Sequence, residues 1–183
     1  MDPAEEILDI VDEQDRVVGT ARRGEVYRRR LLHRCVFILC RDAEDRIFVH
    51  RRTATKLFSP LMYDLFVGGV VGAGESYAEA AVREAEEELG VSGIRPAHLF
   101  KFLFESPDHS WWCDVYEARW TGPVHPQVEE VDWHAFLTED QIRDRLTRWP
   151  FVADGLEAWR RYQEVAGPRP PGGADAVRDR QET

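Results

Sequence analysis

One stretch combines closely spaced glycines with a run of glutamates, and it constrains the fold more than any other part of the chain. Four glycines lie between Gly68 and Gly74, and residues 75–91 read ESYAEAAVREAEEELGV. After Ser76, apolar residues recur at intervals of three and four, which predicts a helix with one buried face. The predicted face consists of Ala78, Ala81, Val82, Ala85 and Leu89.

Three glutamates crowd one ridge of this predicted helix. At about 100° per residue, Glu84 and Glu88 fall close together beside the apolar face, and Glu87 lies next to Glu84 but nearer to solvent. Like charges at this spacing weaken a helix by roughly a few tenths of a kcal/mol per pair. A divalent cation would remove that cost, although a solvated acidic face is the usual meaning of a glutamate run. Oxygen ligands alone suit Mg²⁺ or Mn²⁺ rather than zinc.

The same stretch resembles the Nudix box. From Gly69 to Val91 it reads G-x5-E-x7-R-E-U-x-E-E-x-G-U, where U is an aliphatic residue, and every specified position is filled. The resemblance implies an α+β Nudix fold, with a mixed β-sheet sandwiched between α-helices. It also implies a metal-dependent hydrolase that cleaves the diphosphate bond of a nucleoside diphosphate linked to another group. In its other parts the chain is similar to bacterial Nudix hydrolases related to isopentenyl-diphosphate isomerase.

The resemblance implies a set of metal ligands on this helix and its loop. Glu84 and Glu88 are the strongest candidates, and Glu87 is a further ligand or a proton acceptor. The backbone carbonyl of Gly68 or Gly69 would complete the shell, since a residue without Cβ permits close approach. The implied cofactor is Mg²⁺ or Mn²⁺.

The resemblance also implies residues that position or activate. Arg83 is expected to hold a carboxylate in a fixed geometry, and Glu75 is the partner that the family pattern suggests. The hydrolytic base lies on a later loop in some members, where this chain has Glu129 and Glu130. We take Glu130 as the candidate base. The alternative is that both acids are solvated residues before a strand.

An isomerase is the first alternative function. The run from Leu32 to Arg52 also resembles isopentenyl-diphosphate isomerases of the same superfamily, which use a cysteine in the strand before the box and paired glutamates downstream. Residues 63–69 contain no cysteine here, and residues 111–117 lack the paired glutamates. Hydrolysis is therefore favoured over isomerisation.

A binding module is the second alternative function. In such a module the Nudix pocket survives but turnover does not. The complete box argues against this alternative.

Composition limits the partners of the chain. Its 183 residues carry a formal net charge of −10, whereas a nucleic-acid binder needs a basic surface. The expected partner is a small-molecule nucleoside diphosphate derivative, and a homodimer is left open. Three cysteines without a C-x-x-C pair favour a reducing compartment, so we expect a cytoplasmic protein. No signal peptide or membrane span is expected.

Alternating apolar residues bounded by turn residues predict a series of strands. The predicted strands are 7–11, 17–21, 31–40, 46–51, 63–71, 99–105 and 111–120. Six of them are expected to pair as three successive antiparallel pairs, and the remaining strand at 63–71 would deliver the glycine loop. Trp111 and Trp112 point to opposite faces of the last strand, where packing in the core or at its edge is favoured over stacking on a ligand.

Three further helices are predicted. One covers residues 24–30, and one follows the capping box of Thr138 and Gln141 and runs to about Trp149. The last helix has Leu156, Trp159 and Tyr162 on one face. Together these elements predict one Nudix hydrolase domain at residues 1–165. The Gly/Pro-rich and then charged residues 166–183 are expected to form a flexible tail.

Two groups of basic residues are expected at the surface. Six arginines lie between residues 22 and 34, and a solvated segment is favoured over a phosphate-facing patch. His33 and His50 are expected to be strand-surface or rim residues rather than metal ligands, because no second His or Cys lies at ligand spacing.

Overall fold

A small hairpin and a short helix open the structure. The computed structural model describes residues 3–56 and 58–166. Strands β1 (Ile7–Val11) and β2 (Val17–Arg22) form a two-stranded antiparallel sheet. The carboxylate of Asp12 accepts backbone N–H groups in the turn between them. Helix α1 (Arg23–Arg29) follows and ends at Arg30 in a left-handed conformation, with φ of 56°.

A seven-stranded mixed sheet forms the body of the protein. Its strands are β3 (His33–Arg41), β4 (Ile47–Arg52), β5 (Tyr63–Asp64), β6 (Val67–Val70), β7 (Ala97–Glu105), β8 (Ser110–Arg119) and β9 (Val131–Leu137). Strand β3 lies at its centre, parallel to β8 and antiparallel to β6. Strands β3 and β4 do form an antiparallel pair, but only Arg41 and Ile47 are in register, because β4 pairs mainly with β9.

Helices cover both faces of this sheet. They are α2 (Tyr77–Leu89), α3 (Glu139–Arg145) and α4 (Ala153–Ala166). Successive residues of β3 alternate between two cores, as a strand buried on both faces requires. Val36 and Ile38 face α2, whereas Cys35 and Leu39 face the core that contains residues of α3 and α4. The predicted mixed sheet between helices is confirmed.

A buried arginine fastens the α3 and α4 side to the sheet. Arg41 has no exposed area, and its Nη2 donates to Glu139 Oε1 at 2.8 Å and to the Tyr162 hydroxyl at 2.9 Å. The same hydroxyl donates to Glu117 Oε2 at 3.0 Å. These bonds join β3, β8, α3 and α4. Helix α4 is therefore held to the sheet through Tyr162, which lies in the second half of the helix.

Several details of the helices differ from the sequence prediction. Helix α2 buries Ala80 and leaves Ala78 and Val82 exposed, because its buried face is turned toward the flank that carries Glu88. Helix α3 ends at Arg145 rather than near Trp149, and the chain turns so that Trp149 stacks on Tyr63 at 4.1 Å. In α4, Leu156 is exposed, whereas Trp159 and Tyr162 are buried as predicted.

The basic residues are less exposed than the sequence suggested. His33 and His50 are both buried, so the prediction of surface positions is wrong. Arg34 bonds Asp15, and Arg23 lies at a cavity, although the other arginines of this segment are exposed. The groups that surround the buried basic residues come from distant parts of the chain, and local charge patterning does not reveal them.

Three predictions concern the limits and compartment of the chain. The predicted tail lies outside the described residues except Ala166, which ends α4, and the domain boundary at residue 165 stays a prediction. Cys35, Cys40 and Cys113 are free and buried, as expected for a chain without a disulfide framework. Within the described ranges, no helix has the length and apolarity needed to cross a membrane.

Candidate active site

The glycines before α2 let strand and helix approach each other closely. Gly68 has φ of +152°, and a Cβ there would lie 2.0 Å from the Val36 carbonyl oxygen. A Cβ on Gly69 would lie 2.6 Å from Glu84 Oε1. Gly68 therefore requires glycine, whereas a Cβ on Gly69 would displace the Glu84 carboxylate, which lies directly on the backbone of β6.

Arg83 holds the loop and the helix together. Its Nε and Nη2 donate to the two carboxylate oxygens of Glu75, each at 2.9 Å, and its Nη1 donates to Glu84 Oε1 at 2.7 Å. Nη2 also reaches the Val70 carbonyl at 3.2 Å. The predicted pairing of Arg83 with Glu75 is present, in the bidentate geometry that gives guanidinium its specificity. Burial would raise the pKa of Glu75, but these bonds lower it.

Glu84 and Glu88 are the buried acids of α2. Burial raises the pKa of Glu84 to about 7, although Arg83 opposes the shift. Burial also raises the pKa of Glu88 well above its usual range, and the carboxylates of Glu84 and Glu130 add to the effect. Both acids therefore lie where negative charge is poorly compensated.

Glu130 joins this group from the segment before β9. Its Oε2 accepts from Lys56 Nζ at 2.6 Å. Burial would raise the pKa of Glu130, but the bond from Lys56 and a hydrogen bond with Glu88 lower it. The structure thus brings Glu130 to Glu88, which sequence spacing alone could not establish.

Glu87 lies apart from these acids. Its side chain is 54% exposed, and it contacts Arg83 at 3.5 Å. It does not line the cavity that Glu88 and Gly68 share. Its assignment as a ligand or proton acceptor stays a prediction.

The acids are chemically suited to a divalent cation. In the described part of the chain, no three His, Cys, Asp or Glu side chains stand arranged to hold a metal ion, and the Glu84 carboxylate is turned toward Arg83. The donor set fits a hard cation, because it is made of carboxylate oxygens whose ionisation burial disfavours. A cation would supply the missing positive charge.

A cavity of about 280 Å³ opens beside Glu88. Its charged end contains Gly68, Gly69, Glu88, Arg52 and Lys56. Its other end is aromatic, and its rings include Tyr27, His33, Phe58, His109 and Trp111. The rings contact one another in edge-to-face geometry. The ring centroid of Phe58 lies 4.7 Å from that of Tyr27 and 4.8 Å from that of His109.

Two further acids line the cavity between its ends. Asp64 Oδ1 accepts from the Phe66 backbone N–H at 3.1 Å. It also lies against the first turn of α4, where a Cβ on Gly155 would be 2.7 Å away. Burial raises the pKa of Asp64 to about 7, and Asp154 raises it further, against Arg52. Burial likewise raises the pKa of Asp154.

Sequence analysis did not assign the cations or the second acid pair to the site. Arg52 and Lys56 occupy a polar connection, and Asp64 lies in an apolar strand segment, so no motif marks them. The sequence feature that could have pointed to Asp64 was its position four residues before Gly68, on the predicted strand that leads to the glycine loop. Of the two tryptophans, Trp111 lines the cavity, whereas Trp112 donates its indole N–H to the Asp12 carbonyl at 3.3 Å.

The fold and the loop-helix motif define a class of enzyme. A mixed sheet between helices carries a glycine loop and a glutamate helix beside one cavity. A model of the NUDIX domain family matches residues 31–158. The chain belongs to the Nudix family, and it is a hydrolase that acts on pyrophosphate bonds.

Relatives and solved structures agree with this assignment. The chain is 62% identical over 174 residues to an uncharacterized Nudix hydrolase of Streptomyces coelicolor, which covers 94% of this chain and 96% of the relative. It is 39% identical over 153 residues to the uncharacterized Nudix hydrolase YfcD of Escherichia coli K12, covering 84% of each chain.

Two crystal structures support the fold. That of DR0079 from Deinococcus radiodurans has a TM-score of 0.71 and 32% identity, covering 85% of this chain and 98% of that one. The MutT protein of Methanosarcina mazei has a TM-score of 0.59 and 21% identity, covering 73% and 96%, and it supports the fold alone.

Proposed function

We propose that the protein is a Mg²⁺- or Mn²⁺-dependent hydrolase that cleaves the diphosphate bond of a nucleoside diphosphate linked to another group. Divalent metal is general in the Nudix family. The observation that carries the proposal is the burial of Glu88 beside Glu84 and Glu130 at a cavity that also contains Arg52 and Lys56. Carboxylates that can bind a metal ion and basic side chains that can bind a diphosphate thus lie at the same cavity.

The buried acids would hold the metal. Glu84 and Glu88 would supply carboxylate oxygens, and the Gly68 carbonyl would supply a backbone oxygen. When bound, the cation would neutralise negative charge on the diphosphate and on the leaving phosphate. Glu87 is a further candidate ligand, but it would first have to turn from its exposed position toward the cavity.

Arg83 would position rather than react. Its guanidinium is occupied by Glu75, Glu84 and the Val70 carbonyl. It therefore fixes the carboxylate of Glu84 against the glycine loop. We assign it as a positioning residue, in accordance with the family pattern.

Glu130 would be the general base. A water molecule attacks phosphorus, its proton passes to the Glu130 carboxylate, and the bridging P–O bond breaks so that the leaving phosphate keeps the electron pair. Glu130 suits this role because its carboxylate lies beside Glu88 at the proposed metal site and is held by the bond from Lys56. Lys56 orients it. Arg52 donates from Nε to the Phe58 carbonyl at 3.1 Å and has no ion pair among the described residues, so its Nη groups are available to the diphosphate.

The test is hydrolysis with and without metal. Nucleoside diphosphate sugars, dinucleotides, nucleoside triphosphates and isopentenyl diphosphate are incubated with Mg²⁺, with Mn²⁺ or with EDTA, and phosphate-containing products are separated. We expect turnover with metal and none with EDTA. Glu88→Gln should lower kcat about 100- to 1,000-fold, as removal of a group that stabilises transition-state charge does.

Glu86→Gln is the matched control on the same helix. Glu86 accepts the Gly93 N–H, a bond that a glutamine oxygen can keep. It should hydrolyse like wild type. Absence of turnover on every compound would leave only a binding module, and Glu88→Gln activity equal to that of Glu86→Gln would remove the metal site from α2.

The isomerase alternative gains no support from the cavity. Cys35 does line it, but burial raises the pKa of the thiol far above its usual range. A thiol so hard to ionise is poorly suited to proton abstraction. Release of label from isopentenyl diphosphate to solvent in the same panel would instead favour isomerisation.

A further inference from the structure

His33 is a buried polar residue that the roles above do not use. It begins β3 at the aromatic end of the cavity, and only 3% of its surface is exposed. Its ring centroid lies 5.7 Å from that of Tyr27 and 5.7 Å from that of Trp111. The imidazole is therefore held in place by the two rings beside it.

The surroundings of His33 fix which nitrogen carries the proton. Nδ1 lies 2.9 Å from the Leu31 carbonyl oxygen. A carbonyl oxygen only accepts, so Nδ1 must donate and Nε2 keeps its lone pair in the neutral ring. Burial lowers the pKa of His33 to about 4, so the ring is neutral at neutral pH. Nε2 receives no hydrogen bond from the part of the chain that the structure describes.

Two other polar groups at this end have partners, whereas the buried indole N–H of Trp111 has none among the described residues. Arg23 donates from Nε to the Tyr27 hydroxyl at 2.8 Å and from Nη1 to Glu6 at 3.0 Å. The Ser106 hydroxyl exchanges hydrogen bonds with the backbone of His109. The Nε2 acceptor of His33 is thus available for a ligand donor.

We propose that His33 determines specificity for the group attached to the diphosphate, by accepting a hydrogen bond from an N–H or O–H donor of a nucleoside at Nε2. The inference rests on the proposed function, since it takes the substrate to carry a diphosphate at the charged end. A nucleoside offers both donors and a flat face for Tyr27 and Trp111. A prenyl group offers no donor and would bury Nε2 without a partner.

Binding without metal tests this inference separately from hydrolysis. ADP, CDP, GDP, UDP and isopentenyl diphosphate are titrated calorimetrically into wild type, His33→Phe and His33→Gln at pH 7.5 with EDTA. At least one nucleoside diphosphate should bind wild type more than about tenfold more tightly than isopentenyl diphosphate. His33→Phe should weaken that ligand about 10- to 100-fold and change isopentenyl diphosphate by less than about twofold.

His33→Gln supplies the rescue, because its side-chain oxygen can accept in place of Nε2. It should recover a large part of the affinity that His33→Phe loses. The inference is overturned if wild type prefers none of the four nucleoside diphosphates, or if His33→Phe binds the preferred one as wild type does. The wild-type comparison decides the matter by itself if thermal melts show that the variants do not fold.

The two proposals can fail independently. His33-dependent binding without metal-dependent turnover would overturn the hydrolase and keep the recognition role. Turnover of a nucleoside diphosphate derivative with a KM that His33→Phe leaves unchanged would keep the hydrolase and overturn the recognition role.

Discussion

The two ends of the cavity are assembled in different ways. At the charged end, Gly69 and Glu88 belong to one motif, which also contains Glu84, whereas Arg52 and Lys56 come from the end of β4 and the segment after it. At the aromatic end, Tyr27 comes from α1, His33 from β3 and Phe58 from a connecting segment. The comparison teaches that the proposed metal ligands are local in sequence, whereas the basic residues of the charged end and the groups suited to recognising the attached moiety meet only through topology.

After Glu88→Gln, the largest expected effect comes from Glu130, which lies beside Glu88. Glu130→Gln removes the proposed base but keeps a side chain that Lys56 can donate to. We expect kcat to fall about 100-fold with little change in KM, because general-base catalysis contributes on this scale. Steady-state kinetics with the best compound of the panel measure it. Glu129→Gln, its sequence neighbour, is the control, and equal losses in both variants would argue against a specific base.

The second prediction concerns the glycine beneath Glu84. Gly69→Ala places a Cβ 2.6 Å from Glu84 Oε1, so the carboxylate or the strand must shift. We expect kcat/KM to fall roughly 10- to 100-fold, as a displacement of about 1 Å in a positioned group can cause. Gly19→Ala is the matched control, since nothing lies within 4 Å of the added atom. Full activity in Gly69→Ala would mean that Glu84 is not held by this contact.

The third prediction addresses the aromatic end. Phe58→Leu removes the edge-to-face contacts with Tyr27 and His109. Since these contacts shape the cavity away from the proposed reacting bond, KM should rise about 3- to 10-fold while kcat changes little. The same kinetic assay reports both constants. A loss confined to kcat would contradict the division of the cavity into two ends.

The fourth prediction concerns the stability of the fold and Asp64, one of the two further acids of the cavity. The folded pKa of Asp64 is raised from 3.8 to about 7, so the folded state holds more protons than the unfolded state between these values. Stability must then fall as pH rises through this window. Asp64→Asn removes the ionisation and should be about 1–3 kcal/mol more stable than wild type at pH 8.

Urea unfolding at pH 8 and near pH 4.5 measures this difference. The advantage of Asp64→Asn should nearly vanish at the lower pH, where the wild-type carboxyl is protonated in the fold. An advantage of equal size at both pH values would point to packing instead of ionisation. Asp9→Asn, a buried acid that bonds the Gly74 N–H, serves as a comparison.

Most of the architecture could be predicted from the sequence, because the helix caps and the strand patterns are local features that the structure contains. The capping boxes of α2 and α3 are both formed, at Ser76 and Thr138. The strands lie near their predicted positions, except that the predicted strand at 63–71 is divided into β5 and β6 and that β9 was not predicted. The Arg83 and Glu75 pair is also present. These features depend on neighbours within about ten residues, where spacing and residue type carry the information.

The rest of the site could not be predicted, because it depends on contacts between distant segments. His33 is buried by the rings of Tyr27 and Trp111, from α1 and β8. Lys56 reaches Glu130 across 74 positions of the chain. No periodicity records such pairings, and a single sequence contains no signal for a cavity formed where many elements meet.

Helix α4 connects the wall of the cavity to the central sheet. Its first turn supplies Ala153 and Asp154 to the cavity wall, and Tyr162, two turns later, is bonded to Arg41 and Glu117 in the sheet. A fragment that ends between Asp154 and Tyr162 would keep the residues that line the cavity but lose the hydrogen bonds that hold α4 to the sheet. For anyone trimming or grafting this domain, Tyr162 is therefore the nearest sensible cutting limit, and substrate affinity is the property to measure first.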